Sequence, residues 1–239
     1  MTIHYHGTPI TPNNVLETLV GRNFCVSFHR PCQVKIAHQI GQSVMLDNGA
    51  FSAWKLNKPV QDWQPYYDWV DYWCRYVTTW AVIPDVIDGT EKENDYLLCE
   101  WYARIGHLRQ AAPVWHLHES FDRLLRLYIG YDRICFGSSG KYSQVGAEDW
   151  MERVSEAFDV LQSRLDLAVP IHMLRGMQTV KMLFPFASVD SSDIARHHNE
   201  VREKYGRSAV DMANRWDMQQ CLPTWEMQSN AGKQLKLWG

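Results

Sequence analysis

Val44-Met45-Leu46-Asp47-Asn48-Gly49 is a run of three apolar residues that ends in an acid, an amide and a glycine. A short apolar run of this kind is consistent with a buried parallel strand, and Asp-Asn-Gly with the turn that ends it. The pattern recurs on both sides. Upstream stand Ile3-His4-Tyr5-His6-Gly7 and Phe24-Cys25-Val26-Ser27-Phe28. Downstream come Trp80-Ala81-Val82-Ile83-Pro84-Asp85, Val114-Trp115-His116-Leu117-His118 and Ile134-Cys135-Phe136-Gly137-Ser138. The last two are Ile171-His172-Met173-Leu174-Arg175-Gly176 and Ala187-Ser188-Val189-Asp190-Ser191. Helix-compatible stretches lie between them: Pro12 to Val20, Val60 to Tyr76, Glu91 to Gln110, Ser120 to Ile129, Ala147 to Leu165 and Ser192 to Tyr205. Eight runs alternating with helices predict an α/β fold, a single (β/α)8 TIM barrel, whose chemistry gathers at the strand C-termini.

Length agrees with that expectation, since 239 residues match one barrel of about 250 with little left for insertions, and a second domain is not expected. We therefore expect one domain over 1–239, with a C-terminal extension from about 207 to 239 carrying Trp216, Trp225 and Trp238. The extension reads as a final helix, a substrate-contacting element or an oligomer contact. A hydrophobic content of 46% supports a core, and a net charge of −3 gives no global signature of nucleic-acid binding. The six cysteines form no C-x-x-C pair, which argues against a disulfide framework and a closed cysteine zinc site. The first residues lack a leader pattern and no apolar stretch is long enough to span a bilayer, so a cytoplasmic protein without membrane contact is expected. In the aromatic stretch Trp63, Tyr66, Tyr67, Trp69, Tyr72, Trp73 and Tyr76, steps of three and four predict a helix packed on the barrel rather than a base-stacking platform.

The acids at run ends are Asp47, Asp85, Asp190 and Asp193. An acid after a strand is often a cap or turn former. Carboxylates from different barrel strands also converge on one mouth, where one can act as nucleophile and another as acid or base at a glycosidic carbon. Gly49, Gly137, Gly140 and Gly176 beside them would let a flat ligand approach the backbone.

Taken in order, Leu46-Asp47-Asn48-Gly49-Ala50-Phe51, Ile83-Pro84-Asp85, Cys135-Phe136-Gly137-Ser138-Ser139-Gly140, His172-Met173-Leu174-Arg175-Gly176 and Val189-Asp190-Ser191-Ser192-Asp193 resemble the tRNA-guanine transglycosylase superfamily. The resemblance implies exchange of a guanine in a polynucleotide for a 7-deazaguanine base such as preQ0; for this chain we expect no cofactor and no metal. It assigns Asp190, or alternatively Asp193, as the nucleophile at C1′ and Asp47 as proton donor and acceptor. It further implies that Phe51 stacks on the base, that Asp85 grips its Watson–Crick edge, and that Phe136, Gly137 and Ser138 offer backbone contacts. Asn48, Gly49, His116, His118, His172 and Arg175 complete the expected substrate contacts. The family's Cys-x-Cys-x-x-Cys…His zinc segment has no counterpart after Asp193, and its Leu-Met-Gly segment reads Leu174-Arg175-Gly176. That departure favours the short phage-type members and DNA over tRNA as substrate, with a partner protein or a homodimer for sequence recognition. Arg30, Lys141, Arg175, Arg196, His197 and His198 are candidates for phosphate contacts.

The histidines suggest a different chemistry. His4-x-His6, His116-x-His118, His172 and Asp190 approximate the ligand order of metal-dependent amidohydrolase barrels, because alternate strand residues point the same way.

Overall fold

The computed structural model describes residues 1–165, 167–181 and 184–226. Its strands are β1 (Ile3–Gly7), β2 (Asn23–Ser27), β3 (Ser43–Asp47), β4 (Thr79–Val82), β5 (Ala111–Ala112), β6 (Val114–His116), β7 (Ile134–Gly137), β8 (Ile171–Met173) and β9 (Ser188–Ser191). All pair in parallel in the order β5-β4-β3-β2-β1-β9-β8-β7-β6, a nearly closed, barrel-shaped sheet. Nine segments replace the eight expected runs because the stretch that begins at Ala111 is interrupted at Pro113, which has no N–H to give to a ladder. The two ends of the strand order are therefore consecutive along the chain, with β5 on β4 and β6 on β7. Pro113 still takes part, accepting the Cys135 N–H at 2.8 Å.

The helices are α1 (Asn13–Glu17), α2 (Val34–Ile40), α3 (Ala50–Lys55), α4 (Gln64–Trp73), α5 (Glu91–Ile105), α6 (Phe121–Gly130), α7 (Glu148–Arg164), α8 (Asp193–Tyr205) and α9 (Ala209–Asp217). Local chemistry starts several of them. Thr90 and Glu93 form a capping box on α5, Ser208 and Asp211 form one on α9, and the Ser120 hydroxyl caps α6. α2 is not anticipated by the apolar pattern, and a 3₁₀ turn over Met177–Lys181 stands between β8 and β9.

Period-two alternation decides which strand residues face the interior. Tyr5, Cys25, Met45, Trp80, Val82, Ala112, Val114 and Cys135 pack together inside the barrel, with Leu174 against them. Their neighbours Phe24, Val26, Val44, Leu46, Ala81 and Ile83 face the first helical layer. Trp115, Ile134, Phe136, Ile171, Met173 and Val189 face the second. Trp80 Nε1 donates to Tyr5 Oη at 2.9 Å, which satisfies a polar atom in the filled interior.

The aromatic stretch packs in part as expected: Trp63, Tyr66 and Tyr67 are buried, whereas Tyr72 and Tyr76 are exposed. Tyr66 and Tyr67 on α4 are fully buried, and Tyr66 Oη donates to the Val82 carbonyl at 2.6 Å and lies 3.2 Å from that of Leu46. One phenol thus ties together the ends of β3 and β4, which lead into Asp47 and Asp85. The extension includes a final helix, α9, which packs on α8 and β1, and Trp225 is buried in the second layer with Nε1 donating to Asp159 at 2.7 Å. Residues 227–239, with Trp238, lie outside the described residues. Among the described residues no helix is long and apolar enough to cross a membrane.

Candidate active site

The interior parity that places Met45, Val114 and Cys135 inside also turns Asp47, His116 and Gly137 toward the mouth, at the last residues of β3, β6 and β7. On β8 and β9 the same logic turns His172 and Asp190 inward, since Ile171, Met173 and Val189 face out. Asp190 lies level with Tyr5, and His172 with Ser188.

Asp190 is held from two sides. Its Oδ1 accepts the Arg175 backbone N–H at 2.6 Å and lies 3.2 Å from His172 Nε2. The other His172 nitrogen, Nδ1, lies 2.8 Å from the Ser188 hydroxyl. If Nε2 carries the proton, the ring donates to the carboxylate and accepts from Ser188, a neutral imidazole with both nitrogens satisfied. Burial pushes the His172 pKa down, in keeping with that neutral form. One carboxylate oxygen is fixed by these donors, and among the described residues no hydrogen bond or ion pair engages Oδ2.

Asp47 is set differently. Burial lifts its pKa to about 6, and the nearby charges of Asp190 and Asp85 add to the rise. The neighbouring Ser27 hydroxyl and the Gly49 N–H, 3.2 Å from Oδ2, pull it back. Gly49 stands in the left-handed region at φ 80°, where a Cβ would lie 3.1 Å from the His29 backbone nitrogen. The turn therefore needs glycine, and with it the N–H faces Asp47 while α3 begins.

Asp85 is buried beyond β4. Asn48 Nδ2 donates to Asp85 Oδ1 at 2.7 Å and to the Ile83 carbonyl at 2.9 Å, while its Oδ1 accepts the Ala50 N–H at 2.8 Å. Asn48 thus fastens the turn after β3 to the segment after β4. Asp85 Oδ2 lies 2.9 Å from His116 Nε2, but among the described residues neither atom completes a hydrogen bond, and His116 Nδ1 is buried without a hydrogen-bond partner there as well. Gly137 makes room for that ring, since a Cβ there would stand 2.9 Å from His116 Nδ1.

The remaining expected contacts divide. Phe51 on α3 carries the Arg175 guanidinium over its ring at 3.7 Å and stacks on Trp54 with centroids 5.6 Å apart. Arg175 is half-buried, stands in the left-handed region at φ 56°, and donates through Nη2 to the Ser138 carbonyl at 3.1 Å. That backbone conformation is uncommon outside glycine, asparagine and aspartate. The Phe136 ring faces outward among Trp115, Phe158 and Phe186, so it leaves only its backbone on the mouth side. The carbonyls of Phe136 and Gly137 already accept the N–H groups of Leu174 and Leu117, and the Ser138 hydroxyl accepts Trp150 Nε1 at 2.9 Å. His118 is exposed but anchored, Nδ1 at 2.6 Å from the Ser139 hydroxyl and Nε2 at 2.9 Å from the Gly89 carbonyl.

Asp193 is engaged elsewhere. It opens α8, with Oδ1 at 2.9 Å from His197 and Oδ2 accepting Trp216 Nε1 at 2.9 Å, which tethers α9. Asp193, His197 and Trp216 line a groove of about 810 Å³ between α8 and α9. Of the expected phosphate contacts, Arg30, Lys141 and Arg196 are exposed, whereas His198 is buried with Nδ1 on the Ile194 carbonyl.

The two His-x-His pairs do not converge. His4 and His6 flank inward-facing Tyr5 and therefore point out, toward α9, where His6 Nε2 lies 3.1 Å from Asp217 Oδ1 and Arg22 pairs with the same carboxylate. Burial pushes His4 down to about 4. Among the described residues no three His, Cys, Asp or Glu side chains are grouped to hold a metal ion.

Sequence reasoning missed the support behind His116. Glu119, buried, accepts the His116 N–H at 2.8 Å, Asn94 Nδ2 at 2.9 Å and Arg123 Nη1 at 2.6 Å. Asn94 Oδ1 in turn accepts the Val86 N–H at 2.7 Å, so one network holds the residues around Asp85 and His116 together. The signal available was an acid three residues after a strand-end histidine. A scan of family models finds no match to this chain, and a search of curated proteins finds none either. The site defines a parallel barrel with a mouth of three strand-end carboxylates.

Proposed function

We propose that this chain is a guanine transglycosylase that exchanges a guanine in a polynucleotide for a 7-deazaguanine base. The observation that carries the reading is the convergence of Asp47, Asp85 and Asp190 on one mouth, each with its own hydrogen-bond partners. Asp190 is fixed by Arg175 N–H and His172, while Asp47 is raised to about 6 and poised to hold or release a proton near neutrality. In the first step an Asp190 oxygen attacks C1′, the C1′–N9 bond breaks, and Asp47 gives its proton to the departing guanine. In the second step the incoming base loses its N9 proton to Asp47, bonds to C1′ and releases Asp190. Asp85, placed by Asn48 and facing His116, would accept the N1–H and exocyclic N–H of the base. The target nucleotide must be single-stranded or flipped out for C1′ to reach Asp190.

Counting β5 and β6 as one strand bent at Pro113 gives the (β/α)8 barrel of that reading. We take DNA as the preferred polynucleotide, to be compared with tRNA in the same assay. The six cysteines are free thiols, which suits the reducing cytoplasm in which we place the protein.

The test is exchange of labelled guanine into single-stranded DNA and into tRNA, with the adduct trapped under denaturing conditions. A covalent complex that vanishes in Asp190→Asn is expected. Failure of exchange with both polynucleotides and several 7-deazaguanines overturns the assignment.

A further inference from the structure

The mouth of the barrel is acidic, whereas the sector of its rim that follows β2 and β3 is basic. From Thr18 to Gln61 the chain holds five cations, Arg22, Arg30, Lys35, Lys55 and Lys58, against a single acid, Asp47, in a protein of net charge −3. Arg22 pairs with Asp217. The other four are exposed, and among the described residues none of them enters an ion pair. Arg30 follows His29, which touches the turn at Gly49, while Lys55 and Lys58 stand at the end of α3 and just beyond it. Asp62, the next acid along the chain, is occupied in accepting the Gln64 N–H at 2.9 Å.

Apolar side chains of the same sector are exposed as well. Leu56 and Val60 are among them, and Trp54 keeps 47% of its surface in solvent. A tryptophan left this open withholds a large flat apolar surface from the core. It is nevertheless held in place. Its ring stacks on Phe51, with centroids 5.6 Å and planes 29° apart, and Phe51 meets the same Arg175 whose N–H fixes Asp190. The N–H groups of Leu56, Asn57 and Lys58 donate back to the carbonyls of Ser52, Trp54 and Ala53, which closes the chain over the end of α3. The indole thus stands one ring out from the mouth, on a hydrogen-bonded turn between two lysines.

We infer that Trp54 is a stacking platform for an unpaired base of a single-stranded nucleic acid, the base adjacent to the target nucleotide, with Lys55 and Lys58 on the neighbouring phosphates. This rests on the base-exchange reading of the mouth. A nucleotide drawn into the mouth leaves its neighbour without one stacking partner, and the indole replaces that partner. Stacking on an aromatic ring accepts any base, while unpaired cations neutralise the backbone, so a flat ring among lysines without acids suits a single strand. A second copy of the chain fits this sector poorly, since a two-fold axis would set the same cations against one another. Continuity decides the occupant: a strand that delivers C1′ to Asp190 must cross the rim, and Phe51–Trp54 is an aromatic step leading out from the mouth to it.

The test uses the full chain carrying Asp190→Asn, so that no exchange proceeds, and a single-stranded DNA with 2-aminopurine placed in turn on either side of the target guanine. Emission from one of the two positions should be quenched on binding. The quenching should be lost when Trp54→Ala is added and kept with Trp54→Phe. Affinity should fall about tenfold in Trp54→Ala, and that fall should vanish on DNA made abasic at the quenched position. Lys55→Gln with Lys58→Gln should reduce the slope of log affinity against log salt by about 1.4, the value for two phosphates of a single strand. Quenching at neither position, equal affinity with and without Trp54, or the same loss on intact and abasic DNA overturns the inference. So does a Trp54→Ala protein that binds the strand unchanged and has a lower mass by light scattering, which marks the patch as an interface between copies. Those results remove the platform alone. If the parent protein binds no single strand, of DNA or of RNA, the base-exchange reading falls and the platform falls with it.

Discussion

Asp85 Oδ2 and His116 Nε2 lie 2.9 Å apart in the buried mouth, yet among the described residues neither completes a hydrogen bond. A buried polar atom without a partner costs about 1–3 kcal/mol, which a ligand that supplies the missing bonds can relieve. An ionised carboxylate only accepts, so the fitting ligand edge carries donors, as the N1–H and exocyclic amine of guanine do. Asp85→Asn should weaken guanine binding about 10- to 100-fold, the scale of charge-assisted hydrogen bonds. It should also erase the preference for guanine over hypoxanthine. Calorimetric titration checks both, and an unchanged melting temperature shows that Asn48 still holds the side chain.

The Asp47 acidity predicts a stability effect of definite sign. With the folded pKa at about 6 and the ordinary value at 3.8, the folded protein holds this proton more tightly than the unfolded chain. Stability from this group is complete below about pH 4 and declines as pH rises to about 6, by up to about 3 kcal/mol. His4, lowered to about 4 by burial, runs the opposite way: its contribution is present above about pH 6.5 and is lost as pH falls. The wild-type curve mixes the two, so the difference between Asp47→Asn and wild type is the quantity to measure. Asp47→Asn should melt higher than wild type at pH 7.5 and lose that advantage at pH 4. In catalysis, adduct formation should slow above about pH 6 as Asp47 ionises, and the limb should be missing from the residual rate of Asp47→Asn.

Much of this mouth was legible because parallel strands are apolar on both faces and stop abruptly: Asp47, Asp85 and Asp190 each end or closely follow such a run. What the runs do not reveal is parity. In Ile3-His4-Tyr5-His6 either set could face inward, and the histidine-ligand pattern assumed the wrong one; Tyr5 fills the interior and the histidines meet Asp217. Pro113 hid the start of its strand, since Ala111 and Ala112 have weak strand preference and the proline reads as a boundary. Glu119 resembles any loop acid until its burial against Arg123 is seen. The guanidinium on Phe51 depends on side-chain contact across the barrel, which no local spacing encodes.

The choice between Asp190 on β9 and Asp193 at the start of α8 follows from what already binds them. Asp193 has both oxygens engaged, by His197 and Trp216, while Asp190 presents itself inward beside His172. Asp190→Asn should lower exchange by at least about 10³-fold and abolish the trapped adduct, since it removes the attacking oxyanion. Asp193→Asn should stay within about tenfold of wild type in exchange and lose about 1 kcal/mol of stability through its weakened hold on α9. An adduct that forms in Asp190→Asn but not in Asp193→Asn would exchange their roles.

Gly137 offers a test of the same mouth that alters no polar group. It pairs with His116 across β6 and β7, and a methyl placed there would stand 2.9 Å from both His116 Nδ1 and Val114 Cγ1. Val114 is locked in the barrel interior and Glu119 holds the His116 backbone, so the imidazole must turn aside to make room. Overpacking of this kind costs about 1–3 kcal/mol. Gly137→Ala should therefore lower the melting temperature and weaken guanine binding together, through His116 moving away from Asp85. Gly137→Ala combined with His116→Ala relieves the clash with the imidazole and leaves the one with Val114: stability should recover in part while guanine binding stays weak. Recovery of binding in the double variant would show that His116 does not face the base.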